Sequence, residues 1–411
     1  MHTASLKRGY IGMGLLCNLF LGLGVFCQAA TPNYTVDANK HVISVNNKGD
    51  AAANINDALQ YLVKRPDQDT PWTLQFASGK YNIDKMLSSE HLQNVALISN
   101  PKKPAILAKN PASSIEYIFY TKFSQNITFN GFNVIGKTPT YIPSNYLTGS
   151  SAGWKDQGIY FGSCNNIVIS NNRFLNIGDA AIRVTTTERD AAMGVNSFNT
   201  QILNNYFDNI YQITTTSNDT IHGGSTNMLV QNNTFNRIWG SVKFASRTPG
   251  AKYITYSNNI IRSSATDGME IVGYDSMDIS NNIFQNIARN AVNCYSNARA
   301  TQGYQWGDDI IFRHNTINNA GSGIRFSADP YIADGFQPHP RNVVFTGNKI
   351  TNLRGSAPAI SLLKSDFPDV TVTNNLFSNI PSKKYLYMPM SNRSSVNFTG
   401  NMVDNKSLTG Y

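Results

Sequence analysis

Five short segments of this 411-residue chain share one pattern: Ala-Ile-Arg-Val ending at Val184, Ser-Val-Lys-Phe at Phe244, Gly-Met-Glu-Ile at Ile271, Ala-Val-Asn-Cys at Cys294 and Gly-Ile-Arg-Phe at Phe326. In each, a polar third residue stands between two apolar ones, as in a strand with one side buried and the other in water. Stacking such strands aligns Tyr160, Arg183, His222, Lys243, Glu270, Asn293, Arg325 and Ser361 in one outward column, with about 4.8 Å between neighbours. Most members lie 10 or 11 residues after an Asn that recurs along the chain; His222 lies 17 after Asn205, which requires an insertion between Thr214 and Asp219. A row of this kind supplies a proton acceptor, Lys243 first and His222 as its competitor, and cations, Arg183 and Arg325, that can neutralise an anionic group. Tyr160, Glu270, Asn293 and Arg247, four residues beyond Lys243, stand beside them as substrate-binding candidates. A solvated face of ordinary surface pairs is the competing explanation, but the row has no apolar interruption.

The elements that position this row come from a repeat. An alternating apolar stretch, an Asn, one variable residue and then Phe or an aliphatic residue recur around Asn130, Asn172, Asn205, Asn233, Asn259, Asn282, Asn315, Asn348, Asn375 and Asn401, at spacings of 42, 33, 28, 26, 23, 33, 33, 27 and 26 residues. Each copy is too short to bury a core alone, so the copies must stack. The residues are Asn, Thr, Ser, Ile, Val and Phe, with period-two alternation, which points to coils of strands instead of paired helices. Asn tolerates the left-handed backbone of a sharp turn, and stacked Asn side chains can bond from coil to coil. The residue two places later, from Phe132 and Phe174 through Phe377 to Val403, is then expected to point inward. Matches to the Asn-Xaa-Thr/Ser glycan signal are by-products of this ladder.

Asn54 to Lys64 reads as a short amphipathic helix, with Ile55, Leu59, Leu62 and Val63 available to cover the open end of the stack. Helix, a strand from Trp72 to Phe76, a turn at Gly79 and Tyr81, and the ladder of Asn turns together resemble the pectate-lyase-like β-helix superfamily over residues 50 to 404. The resemblance implies an all-β fold, a single-stranded right-handed parallel β-helix of about 10–12 coils capped by the N-terminal helix. Residues 31–125 are expected to form the cap and first coils, and 126–411 the repeats, as one continuous domain. It also implies chemistry: lyases of this type abstract the proton α to a uronic acid carboxylate with a basic side chain, while Arg or calcium neutralises the carboxylate. By strand position, Lys243 is then the base, His222 its competitor, and Arg183 or Arg325 the counter-charge. Reprotonation from the opposite face of the sugar would make the same site a C5-epimerase. Two other patterns of such proteins are not met. His222-Gly223-Gly224 precedes Asp308-Asp309, the reverse of the order in polygalacturonase-type hydrolases, and Gln337-Pro338-His339-Pro340 lacks both acids of the periplasmic epimerase motif.

Lys7 and Arg8, an apolar run from Tyr10 to Phe26, and small residues at Ala29 and Ala30 have the order of a secretory signal, so residues 1–30 are expected to be removed. No second segment approaches a membrane span. The chain therefore belongs in the periplasm or outside the cell. Its formal net charge of +9, about +7 after cleavage, favours an anionic partner. The basic residues are scattered with no nucleic-acid module, which argues against nucleic acid. Cys164 and Cys294 remain in the mature chain, about five coils or ~24 Å apart, too far for a disulfide. No metal is assigned: for calcium, Glu270 and Asn293 with Asp267 or Asp275 are only a beginning of an oxygen set. Pro139 to Trp154 with Tyr141 and Tyr146, Arg189 to Phe198, and Ala298 to Asp308 with Tyr304 and Trp306 read as groove walls whose aromatics stack on sugars. The combined expectation is a monomeric exported protein acting on an acidic, uronic-acid-containing polysaccharide, first as a lyase by β-elimination. The alternatives are an epimerase, a non-catalytic glycan-binding or exopolysaccharide assembly protein, and an adhesive or structural solenoid.

Overall fold

The computed structural model describes residues 34–138, 156–185, 197–210, 221–223, 225–245, 252–295, 306–330, 335–390, 395–408 and 410, with the main chain alone for 221–223 and 245. Its short strands each bury one side and gain stability only from neighbours above and below. Strand after strand pairs in parallel with its counterpart in the next coil, and three faces result. The first is a 14-stranded sheet from Tyr34–Asp37 to Val396–Thr399. The second carries Arg173–Ile177, Tyr206–Ile210 and Thr234–Ile238; the third carries Gln157–Gly162, Ile182–Thr185, Ile221–Gly223, Val242–Ala245 and Met269–Val272. Ile283–Tyr295 and Thr316–Ser327 run round the corner between the second and third faces, which therefore join into one 22-stranded sheet. This is a right-handed parallel β-helix.

Both ends of the stack are closed. The helix spans Ala51–Lys64, three residues longer at its start than the amphipathic pattern predicts, because Asp50 accepts a hydrogen bond from the Ala53 N–H at 3.0 Å and caps it. It buries Ala51, Ala52, Ile55, Ala58, Leu59 and Leu62. Just beyond it, Arg65 is buried and donates to the carbonyls of Leu62, Asp67, Gln68, Thr70 and Gln93, which stitches the cap to the first coils. Antiparallel pairings end the parallel order at both ends: Tyr34–Asp37 with Val42–Val45, and Met402–Val403 with Lys406–Ser407. No helix among the described residues is long and apolar enough to cross a membrane.

The Asn repeat divides into two jobs that the sequence reading had given to one residue. The buried ladder runs through Asn172, Asn205, Asn233, Asn259, Asn282, Asn315, Asn348, Asn375 and Asn401. Each Asn from 172 to 375 donates its Nδ2 to the Oδ1 of the next, at 3.0–3.1 Å, and to a carbonyl of the preceding coil. The left-handed turn belongs to the residue before: Asn171, Asn204, Asn232, Asn258 and Asn281 have φ of 55–57°. At the first repeat the ladder position is taken by Phe132, whose N–H donates to Asn172 Oδ1 at 2.9 Å. The left-handed residue there is Gly131 (φ 87°), where a Cβ would lie 2.2 Å from the Ser99 carbonyl oxygen. Phe132 is buried, but the residue that pairs with Phe174 in the inward column is Val134, which follows Tyr81 and Leu107. From there the column continues through Phe207, Phe235, Ile261, Phe284, Ile317, Ile350 and Phe377 to Val403. Phe174, Phe207 and Phe235 stack with centroids 5.1 and 4.7 Å apart. Cys164 and Cys294 are both buried and form no disulfide with each other.

Candidate functional site

The third face carries the polar row. Strand register runs Tyr120, Tyr160, Arg183, His222, Lys243, Glu270, Asn293, Arg325, Ser361, each paired with the next, so His222 holds the place assigned to it by an insertion. The alternation that builds the strands sets this order: Ile182 and Val184, Val242 and Phe244, and Met269 and Ile271 point into the core, which turns the residue between them outward.

At the centre of the row, Lys243 Nζ lies 2.8 Å from Glu270 Oε2, and both side chains are only 12% exposed. The same Glu270 oxygen accepts from the Tyr295 hydroxyl at 2.7 Å, and Lys243 Nζ sits 5.9 Å from the centre of the Tyr295 ring. Tyr295 was not among the sequence candidates, although it stands two residues after Asn293 on the same outward alternation. On one side, the Nε of Arg183 is buried and has no hydrogen-bond partner among the described residues. On the other side a β-bulge shapes the site. Register slips between Ile287 and Asn290 in the pairing of Ile283–Tyr295 with Thr316–Ser327. The slip leaves the Asn290 N–H outside the ladder, and Asp267 Oδ1 takes both this N–H and Asn290 Nδ2, at 2.9 and 2.8 Å. Asp267 Oδ2 accepts from Asn293 Nδ2 at 2.9 Å, and Asn293 Oδ1 in turn accepts from Arg325 Nη1 at 2.9 Å. Asp267 is 3% exposed. Burial pushes its carboxyl above the ordinary range and the charge of Glu270 adds to this, while the bonds from Asn290 and Asn293 act against it. Both its oxygens are thus engaged by amide donors, which makes Asp267 a holder of Asn293 and Arg325 and a poor start for a calcium site. Among the described residues no group of three or more His, Cys, Asp and Glu could hold a metal ion.

Two expected substrate-binding residues are not on open surfaces. Trp306 is fully buried and packs on Phe326 with centroids 5.4 Å apart, so it is core and not a groove wall. Tyr160 is 7% exposed, stacks on Tyr120 at 4.8 Å and lies over Gly162, where a Cβ would be 2.6 Å from its ring. It ends the row as packing. Arg247, Tyr304, the loop aromatics Tyr141, Tyr146 and Trp154, the residues 1–30 and the side chain of His222 lie outside what is described. Below Tyr160, Lys109 Nζ and Asp156 Oδ1 form an inward ion pair at 3.6 Å with almost no exposure. Burial lowers the Lys109 ammonium to about 8 against the pull of Asp156. Asp156 also accepts from Thr138 Oγ1 and the Gly178 N–H at 2.7 and 2.8 Å, so this pair is a brace between coils.

The family described as right handed beta helix region matches residues 220–403. No curated protein sequence matches the chain. Among solved structures it is similar to PfbA, a surface adhesin of Streptococcus pneumoniae, at 15% identity and TM-score 0.60, over 87% of this chain and 90% of that one. An exopolygalacturonase from Thermotoga maritima is similar at 13% identity and TM-score 0.58, over 92% and 94%. A tailspike mutant of E. coli bacteriophage HK620 in complex with a pentasaccharide is similar at 15% identity and TM-score 0.55, over 90% of this chain and 66% of that one. At such identities the likeness is one of fold.

Proposed function

We propose that this right-handed β-helix protein is exported as a monomer and binds an acidic, uronic-acid-containing polysaccharide along its third face, cleaving it by β-elimination. The observation that carries the reading is the centre of the row: Arg183 with a buried Nε that has no partner among the described residues, His222 next in register, and Lys243 held at 2.8 Å by Glu270. Coils repeat every ~4.8 Å, a spacing of the order of one sugar unit, so a chain laid along the axis meets successive row residues. In β-elimination a base takes the proton α to the carboxylate, its electron pair forms the new double bond, and the glycosidic oxygen leaves and is protonated from water. An ammonium in an ion pair is a weak proton acceptor and a good partner for a substrate carboxylate. The ion pair therefore favours His222 as the base, with Lys243 and Arg183 on either side neutralising the carboxylate and so stabilising the carbanion-like transition state. Arg325, fixed by Asn293 and Asp267, grips a carboxylate further along the chain. Neighbours that include an exopolygalacturonase and a tailspike bound to a pentasaccharide show that the fold can handle sugars in other proteins.

The test is ultraviolet absorbance of the unsaturated uronate on incubating mature protein with a panel of uronic acid polymers. A rise that disappears in His222→Ala while polymer binding persists supports the reading. Retained binding with no absorbance change, but with solvent deuterium entering the sugar, reassigns the site to epimerisation. Binding without either reaction leaves a glycan-binding protein, and no binding to any member overturns the proposal.

A further inference from the structure

Where the second face turns into the third, a half-open cavity of about 210 Å³ lies beside the bulge. Local irregularity creates it. Ile260–Ile261 is only two residues long, and beyond it Ser264 keeps single bridges to Ile238 and Ile287. The slip after Ile287 takes that residue's carbonyl out of the ladder, and Arg354, from two coils further on, reaches back to donate Nη2 to it at 2.5 Å. The coil between passes this corner as Ala320-Gly321, and a Cβ on Gly321 would lie 2.5 Å from the Ala288 carbonyl oxygen.

The chemistry of the lining is one-sided. Its acceptors are spoken for: Asn286 Oδ1 takes Asn319 Nδ2 at 2.6 Å, and Ser264 Oγ takes the Thr266 N–H at 3.4 Å while its one hydrogen is shared between the carbonyls of Trp239 and Asp267. Ser263 Oγ accepts the Arg237 N–H at 3.1 Å, which leaves its own hydroxyl hydrogen to donate. Among the described residues Arg354 has no partner for Nε and Nη1, and neither it nor the neighbouring Arg262 and Arg289 has a carboxylate partner. Ile238, Ala265 and Ala288 supply the apolar part of the lining.

We infer that this corner pocket is a second carbohydrate site, separate from the third-face row, that takes one carboxylate-bearing sugar ring, free or as an acidic branch of a polymer. The guanidinium binds the carboxylate, the Ser263 hydroxyl donates to a ring oxygen or hydroxyl, and the apolar part of the lining receives the C–H face of the sugar. Its volume, below the ~300 Å³ at which drug-sized sites begin, limits it to a single ring. The site is independent of the chemistry proposed for the row.

Glucuronate is the probe, with glucose and acetate as controls, and the readout is the shift of the Ala265 and Ala288 methyl resonances on titration. Glucuronate should saturate these shifts in the millimolar range. Arg354→Gln should weaken it about tenfold or more, the effect of losing one charge-assisted contact, and Lys243→Met should leave it unchanged. Because Arg354 also braces Ile287, Ala288→Leu provides a second variant that fills the pocket and keeps every donor; it should abolish the shift of the remaining Ala265 methyl at an unchanged melting temperature. No saturable shift with glucuronate, or equal affinity in wild type and both variants, would overturn the site. Glucose as strong as glucuronate would refute the anion, and acetate as strong would refute the sugar.

Discussion

Glu270→Gln removes the carboxylate bonded to Lys243 and leaves an ammonium whose side chain is 12% exposed. At about 4 Å between charge centres and an effective dielectric of about 20, the attraction lost is ~4 kcal/mol. That agrees with the ~3–5 kcal/mol measured when one partner of a buried pair is deleted. Lys243→Met should cost somewhat less, because the Tyr295 hydroxyl still donates to Glu270. The double variant Lys243→Met/Glu270→Gln removes both charges and leaves an amide oxygen for Tyr295, so it should fall within ~1 kcal/mol of wild type. Urea midpoints at constant slope, with circular dichroism to confirm the fold, give these differences, and the double-mutant cycle isolates the coupling. The functional half is polymer turnover: the double variant should be folded and inactive. Single losses below ~1 kcal/mol, the range of exposed surface pairs, would refute the reasoning. So would a double variant as unstable as the worse single.

Other expectations follow from the same geometry. Burial raises Asp275 to about 6, so the native state keeps a proton that the unfolded chain releases near its ordinary 3.8. Its contribution is thus greatest below about pH 4 and is lost as pH rises through about 6, by roughly 2 kcal/mol after allowance for partial exposure. Asp275→Asn keeps an acceptor for the Asp308 N–H and should flatten thermal stability across that window; an unchanged slope refutes it. Asn315→Ala breaks the bonds of Nδ2 to Ile279 O and Asn348 Oδ1 and orphans two donors of Asn282, a loss of ~3–4 kcal/mol. Asn199 is a left-handed residue whose side-chain bonds to Asn166 and Asn227 are exposed, and Asn199→Ala should cost less, ~1–2 kcal/mol; equal effects on unfolding midpoints would contradict the weight given to burial of the Asn172–Asn401 ladder. Burial pushes the Cys164 thiol up to about 12 and that of Cys294 higher still, so neither should be alkylated by iodoacetamide before the coil unfolds. Labelling of the native protein would mean the coil register is wrong.

Much of the row was legible because period-two alternation is a local signal: one apolar residue on each side is enough to turn Arg183, Lys243, Glu270, Asn293 and Arg325 outward. His222 followed from the column despite its long preceding insert. What alternation cannot report is depth. Tyr160 and Trp306 carry the same letters whether they line a groove or fill a core, and the structure buries both. Asp267 was invisible as part of the row, since it precedes the strand and acts through the bulge at 287–290, which no spacing in its own segment announces. Phe132 was misaligned for a related reason: the repeat was keyed to Asn130, whereas the left-handed slot belongs to Gly131 and the whole coil is displaced by two residues.

The ladder Asn residues are separated by 33, 28, 26, 23, 33, 33, 27 and 26 positions, yet each bonds to the next in the same way. Arc length and axial rise are thereby uncoupled. Residues can be added to or deleted from a turn without moving the strands above and below it, whereas an inserted whole coil would part Arg183 from Lys243 by another ~4.8 Å. Evolution of such a molecule has two independent dials: loop length, which reshapes the rim freely, and coil number, which resets the reading frame of the entire row.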